Sequence, residues 1–131
     1  MKLHADAPSH LNSITGYGPD WIGINARRHA GSTLVMPEAV LEAWPVARFA
    51  DLTAEHFARI AAHRPEVVLF GSGARLRFPP AAVIAPLRAA GIGIETMDLQ
   101  AACRTYNILM AEGRRVAAAL LLEASAPAAP A

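Results

Sequence analysis

The chain has 131 residues, 12 basic against 11 acidic for a net charge of +1, and a 53% hydrophobic content that owes much to alanine. That length suggests one domain able to bury about two-thirds of its unfolded surface. The charge balance excludes a general pull toward nucleic acid or anionic membrane, so any anion site must be local.

Cys103 is the single cysteine, which excludes an internal disulfide. No run approaches ~18 apolar residues, and no apolar run of signal-peptide length follows Lys2. The expectation is a soluble, cytoplasmic protein without membrane insertion. Its single α/β domain spans residues 1–122, with residues 1–12 loosely ordered. The closing "EASAPAAPA" (residues 123–131) is expected to be a disordered Ala/Pro tail.

In chain order, "SITGYGPDWIGINARRH" predicts two short strands around a Gly18-Pro19-Asp20 turn, giving an N-terminal β-hairpin or meander. "STLVMP" is a further alternating piece that ends at Pro37. "EAVLEAWPVARF" reads equally as a helical turn followed by a strand or as an edge strand carrying Pro45. From residue 51 the signal is cleaner. Thr53 is a candidate N-cap for a helix carrying Phe57, Ile60 and Ala61 and stopped by Pro65. "EVVLF" is a buried strand. "PPAAVIAPLRAAG" is a helix with prolines at its start, Gly91 as its C-terminal cap, and Pro86 either kinking it or sitting early in it.

"IGIETMD" then reads as a strand, "LQAACRTYNILMAEG" as a helix from Asp98 to Gly113, and "RRVAAALLLE" as a strand apolar on both faces and therefore central. Alternating helices and buried strands predict a three-layer α/β domain. It has a central mixed, partly parallel sheet and about three helices.

Two segments carry the candidate sites. In "VVLFGSGARLRFPP" a strand runs into Gly71, Ser72 and Gly73, with Arg75 and Arg77 following. Glycines after a strand let exposed amides cradle an anion. Phosphate fingerprints, however, need a helix directly behind the glycines or a GxxxxGK pattern, and here an extended "ARLRFPP" delays the helix. G-S-G is not the GxSxG nucleophile elbow. What stays open is a structural turn, or a modest site for an anion or a partner's carboxylate built on Arg75 and Arg77.

The second segment is the 99–111 helix. Leu99, Ala102, Cys103, Tyr106 and Met110 form a core stripe. Gln100, Arg104, Asn107 and Ala111 form a polar side, and Ala101, Thr105, Ile108 and Glu112 point outward. Ile108 suits a partner contact or a covering loop. Arg104 and Asn107, a turn apart, suit holding a backbone segment or a ligand together, or simply tying down the loop after residue 71.

Cys103 on the core stripe reads as an inert buried thiol. His56 and His63 are seven apart, too wide for the usual zinc pair. Glu95, Asp98 and Glu112 fix no acid–base pair. No metal, cofactor or catalytic residue is expected.

Taken together, "VVLFGSGARLRFP", "GIGIETMDLQAACRTYNILMAEGRRVAAALL" and the Ile14–Tyr17 "ITGY" segment resemble a small family. It includes mitochondrial respiratory complex I assembly factor 3 and many short bacterial proteins. The likeness covers roughly residues 12–122. Leu99 and Gln100 depart from the Thr-Gly that such proteins often carry, and the Cys103 position is variable.

The resemblance implies a three-layer α/β fold with a mixed sheet, action through protein contacts, and no established catalysis. It marks Gly71, Ser72, Gly73, Arg77, Arg104, Thr105, Asn107, Glu112, Gly113 and Arg114. Two functions are carried forward. One is a binding or assembly module with a protein partner, itself a monomer or weak dimer. The other is a small enzyme or ligand-binding protein holding an anionic molecule at the Gly71–Gly73 loop, Arg75 and Arg104.

Overall fold

The computed structural model describes residues 10–123; the rest of the expected loose N-terminus and of the Ala/Pro tail lies outside the described residues. The second half of the chain follows its apolar pattern closely. α1 (Ala54–Ala61) leads to β6 (Val67–Gly71), α2 (Ala81–Ala89), β7 (Gly93–Met97), α3 (Leu99–Ala111) and β8 (Val116–Leu120). The first half supplies β1 (Ile14–Tyr17), β2 (Trp21–Ile24), β3 (Arg27–Ala30), β4 (Thr33–Val35) and β5 (Leu41–Ala43).

β1–β3 form an antiparallel meander, and the other five strands form a mixed sheet in the order β5-β4-β8-β6-β7. β8 is central, as a strand apolar on both faces must be. It runs parallel to β6 and antiparallel to β4. Successive side chains of a strand face opposite ways. Val116, Ala118 and Leu120 therefore join one core with Leu69, Tyr106 and Met110. Ala117, Ala119 and Leu121 join another with Trp44, Phe57, Phe70 and Leu87. α3 and the meander cover the first face; α1 and α2 cover the second. The alanines of β8 let both layers approach closely.

The N-terminal hairpin or meander expected around Gly18-Pro19-Asp20 is a meander, with β3 as its third strand. Asn25 and Ala26 both adopt positive φ (50° and 67°), as a two-residue hairpin turn of the primed type requires. The Ser13 N–H donates to Asn25 Oδ1 and the Ala26 N–H to Thr15 Oγ1, offsetting the cost of the left-handed alanine. The ambiguous "EAVLEAWPVARF" resolves as edge strand β5, pairing β4 alone, with Pro45 just beyond it.

Thr53 is the N-cap of α1, where the His56 ring Nδ1 accepts the Thr53 N–H at 3.0 Å, completing a capping box. Pro86 lies inside α2 rather than at its start. Gly91 ends that helix at φ 71°. Asp98 caps α3, accepting the Ala101 N–H at 2.9 Å. No helix among the described residues is long and apolar enough to cross a membrane.

Candidate functional site

From β6 the chain steps outward through α2 to β7, then back over β6 through α3 to β8. Both crossovers join parallel strands, and a common right hand puts helices for opposite steps on opposite faces. The chain thus leaves β6 toward one face and β7 toward the other. Neighbouring strands that part in this way leave a crevice at their carboxyl ends, where open α/β sheets bind. The Gly71–Gly73 loop and Asp98 lie at this point.

Loop and helix entrance are stitched together there. The Ser72 N–H donates to the Met97 carbonyl at 2.8 Å, and the Leu99 N–H to the Gly73 carbonyl at 2.8 Å. Gly71 leaves little room for a side chain. A Cβ would sit 3.0 Å from Leu120 Cδ2 and 3.1 Å from Ala102 Cβ. Gly73 holds φ 98°, a region that disfavours any side chain.

Ser72 is fully buried. Its Oγ donates to the Arg75 carbonyl at 2.7 Å, with the Met97 carbonyl at 3.2 Å, and accepts the Arg77 N–H at 3.0 Å. Ser72 is therefore the organiser of the loop.

The two arginines part company. The Arg77 side chain turns inward: Nη2 donates to the Ser72 carbonyl at 2.7 Å and to Glu123 Oε1 at 2.6 Å. Its guanidinium carbon stands 4.7 Å from the centre of the Phe49 ring. Glu123 Oε2 in turn accepts the Phe49 N–H at 3.0 Å. Arg75 is exposed and has no ion-pair partner among the described residues.

Leu76 and Phe78, on either side of the inward Arg77, are 53% and 69% exposed. Glu123 and Phe49 were absent from the sequence-based site. Nothing local marks them, since Glu123 is 46 residues from Arg77 and opens a segment of tail-like composition.

The remaining candidates run along α3, away from this seam. At 1.5 Å per residue, Ile108 is about 14 Å along the axis from Leu99. Arg104 is exposed and Thr105 half-buried. Asn107 holds backbone without Arg104: its Oδ1 accepts the Ile14 N–H at 2.9 Å and its Nδ2 donates to the Ile14 carbonyl at 2.8 Å. Ile108 is 52% exposed. Glu112 is the exposed C-cap, Gly113 follows at φ 79°, and Arg114 pairs with Glu66. The structure thus separates a carboxyl-end seam (Gly71, Ser72, Gly73, Arg77) from an outer helix face at Ile108.

Beside the seam opens a cleft of about 910 Å³, walled by Tyr17, Gly18 and Pro19 of the β1–β2 turn and floored by Gly73, Leu99 and Leu121. Each of its charged groups is engaged by a neighbour outside the lining. Asp98 caps α3, Arg48 pairs with Asp51 at 3.2 Å, and Glu123 is held by Arg77 and the Phe49 amide.

The Arg77 hydrogen bond outweighs partial burial and holds the Glu123 carboxyl below its ordinary value, helped by the Phe49 N–H and the charge of Arg75. Burial pushes the Cys103 thiol up to about 12, far from a reactive thiolate. No cluster of three or more metal-ligating side chains occurs among the described residues.

The Glu123 geometry has a consequence in acid. A carboxyl whose folded pKa is depressed stabilises the fold above its unfolded value of 4.5 and loses that contribution as pH falls through the folded pKa. Urea denaturation of the parent chain should therefore lose stability more steeply below about pH 4.5 than that of Glu123→Gln. Glu66, likewise depressed by Arg114, titrates in both chains and drops out of the difference. Parallel pH profiles would show that the clasp contributes nothing.

The family model of the "Protein of unknown function (DUF498/DUF598)" matches residues 14–121. An uncharacterized protein of Rhodobacter capsulatus is 39% identical over 108 residues, 82% of each chain. The Danio rerio NADH dehydrogenase [ubiquinone] 1 alpha subcomplex assembly factor 3 is 36% identical over 110 residues. That match covers 82% of this chain but 63% of the relative, so the chain spans less than two-thirds of it. The crystal structure of a Bordetella parapertussis protein superposes with a TM-score of 0.80 at 46% identity, covering 86% of this chain and 97% of that one.

Proposed function

The chain belongs to the DUF498/DUF598 family of proteins of unknown function, and from that premise we propose that it is a non-catalytic binding or assembly module acting through protein contacts. One observation carries this reading. Around the carboxyl-end crevice Glu123 is paired with Arg77, Arg48 with Asp51, and Asp98 accepts a backbone N–H, while large apolar side chains stand exposed on the loop after β6 and on α3. Catalysis by general acid or base needs groups left poised for proton transfer. A binding surface needs apolar side chains left uncovered on a rigid scaffold. The likeness to a protein named as an assembly factor points the same way. Two faces present themselves: the loop after β6, and the outer side of α3 around Ile108.

The test is photo-crosslinking in cells that make the full chain at its natural level. p-Benzoylphenylalanine replaces Leu76, Ile108 or, as a control on the far layer, Glu55. A discrete adduct with another protein is expected from Leu76 or Ile108 and none from Glu55. Adducts equal to the control at both positions would overturn the reading.

A further inference from the structure

We infer that the loop from Gly73 to Pro80 is a rigid two-pronged anchor, in which Leu76 and Phe78 enter an apolar pocket of a protein partner while Arg75 meets a carboxylate on its rim. The inference deepens the proposed protein-contact role and rests on it.

The alternation of an extended chain sends neighbouring side chains to opposite sides. Arg77 is drawn inward by the Ser72 carbonyl, Glu123 and Phe49, so Leu76 and Phe78 are thrown outward together. They are the two most exposed of the large hydrophobic side chains among the described residues, at 53% and 69%. Neither is exposed through slackness. The Ser72 hydroxyl bonds both the Arg75 carbonyl and the Arg77 N–H, fixing the backbone on either side of Leu76. Pro79 and Pro80 fix φ beyond Phe78. Ordering before contact lowers the entropic cost of binding, and an aromatic or aliphatic anchor seated in a partner's pocket is what the centre of a binding interface needs.

Charge selects the occupant. Within the loop Arg77 is paired with Glu123, whereas Arg75 is exposed and has no ion-pair partner among the described residues. A second copy docking symmetrically would place two unpaired Arg75 side chains in one interface, since a two-fold contact uses the same patch on both copies. One free guanidinium is also far short of the basic cluster that holds a peripheral protein on anionic lipid. An acidic-rimmed apolar pocket answers both features.

Full-length chain carrying p-benzoylphenylalanine at Phe78, and separately at Ile108, is irradiated in cells, and the adduct from position 78 is identified and purified. Its affinity is then measured for the parent chain and for Phe78→Ser, Leu76→Ser and Arg75→Glu. Each variant is expected to bind at least tenfold more weakly, with unchanged thermal unfolding because these side chains are exposed. Reversing the partner's rim carboxylate to lysine should restore Arg75→Glu.

Adducts at position 108 but not at 78 would overturn this inference and leave the protein-contact reading standing; adducts at neither would sink both. It also fails if the position 78 adduct is a second copy of this chain, or if affinity ignores Phe78→Ser. Phe78-dependent flotation with phosphatidylglycerol vesicles, in place of a protein adduct, would overturn it in favour of lipid.

Discussion

Replacing Ser72 with alanine should lower the unfolding free energy by about 2–3 kcal/mol, a large effect for the loss of one oxygen. The fully buried hydroxyl is at once donor to the Arg75 carbonyl and acceptor of the Arg77 N–H. Alanine satisfies neither, and a buried donor left without a partner costs about 1–3 kcal/mol. The damage should be local, because the Ser72 amide keeps its bond to Met97 and β6 keeps its pairing to β7 and β8. Amide hydrogen exchange at Arg77 is the specific readout, since its N–H is held by Oγ. By contrast Phe78→Ser, at an exposed position, should stay within about 0.5 kcal/mol of the parent chain. A Ser72→Ala chain that keeps full stability and a protected Arg77 amide would show that the hydroxyl does not organise the loop. If the loop is an anchor, Ser72→Ala should also weaken partner binding, although a buried serine cannot touch a partner.

The second half of the fold was readable because each signal there is local. An apolar run on both faces announced β8 as a central strand. The stripe of Leu99, Ala102, Cys103, Tyr106 and Met110 announced the inner side of α3; the last four are buried and Leu99, at the helix entrance, is half-buried. The third strand of the meander was hidden because its turn uses Asn25-Ala26, without the glycine that normally marks positive φ at the second position. The site was legible only in outline. Sequence placed Arg75 and Arg77 side by side as a pair of cations, whereas the structure sets one against solvent and folds the other inward. What divides them is Glu123 and Phe49, brought in from 46 and 28 positions away. The same division turns Leu76 and Phe78 outward, so the exposed pair is a consequence of tertiary contacts that no local pattern records. Asn107 read, with Arg104, as suited to holding a backbone segment or a ligand; it holds the Ile14 backbone without Arg104, and no local pattern names that segment because Ile14 is 93 residues distant.

That Asn107 contact supports the second large effect, in which Asn107→Ala destabilises the chain by about 2–3 kcal/mol and loosens the meander first. The side-chain amide copies a neighbouring strand, giving Ile14 one acceptor and one donor, and Ile14 is 2% exposed. Tyr106, the preceding residue, donates its hydroxyl to the Asn12 carbonyl at 2.8 Å. Adjacent α3 residues thus staple the chain leading into β1. Without Asn107 both Ile14 backbone groups lose their side-chain partner, and Ile14, Ile22 and Ile24 lose their hold against Tyr106 and Met110. The Tyr17–Pro19 wall of the cleft would move with them.

Asn107→Asp separates this account from a simple loss of packing. The aspartate is nearly the same shape and keeps the acceptor for the Ile14 N–H, but when ionised it sets a carboxylate oxygen against the Ile14 carbonyl. Protonated, it recovers the donor. The fold therefore favours the protonated form and raises the pKa of the introduced carboxyl. Its stabilising contribution is full below the unfolded aspartate value of about 3.9 and is lost as pH rises through the folded value. Relative to Asn107→Ala, the aspartate variant should gain stability on acidification and be no better at pH 7. Urea midpoints of the two variants across that range decide the matter. A constant difference between them would mean that Asn107 holds β1 by shape alone.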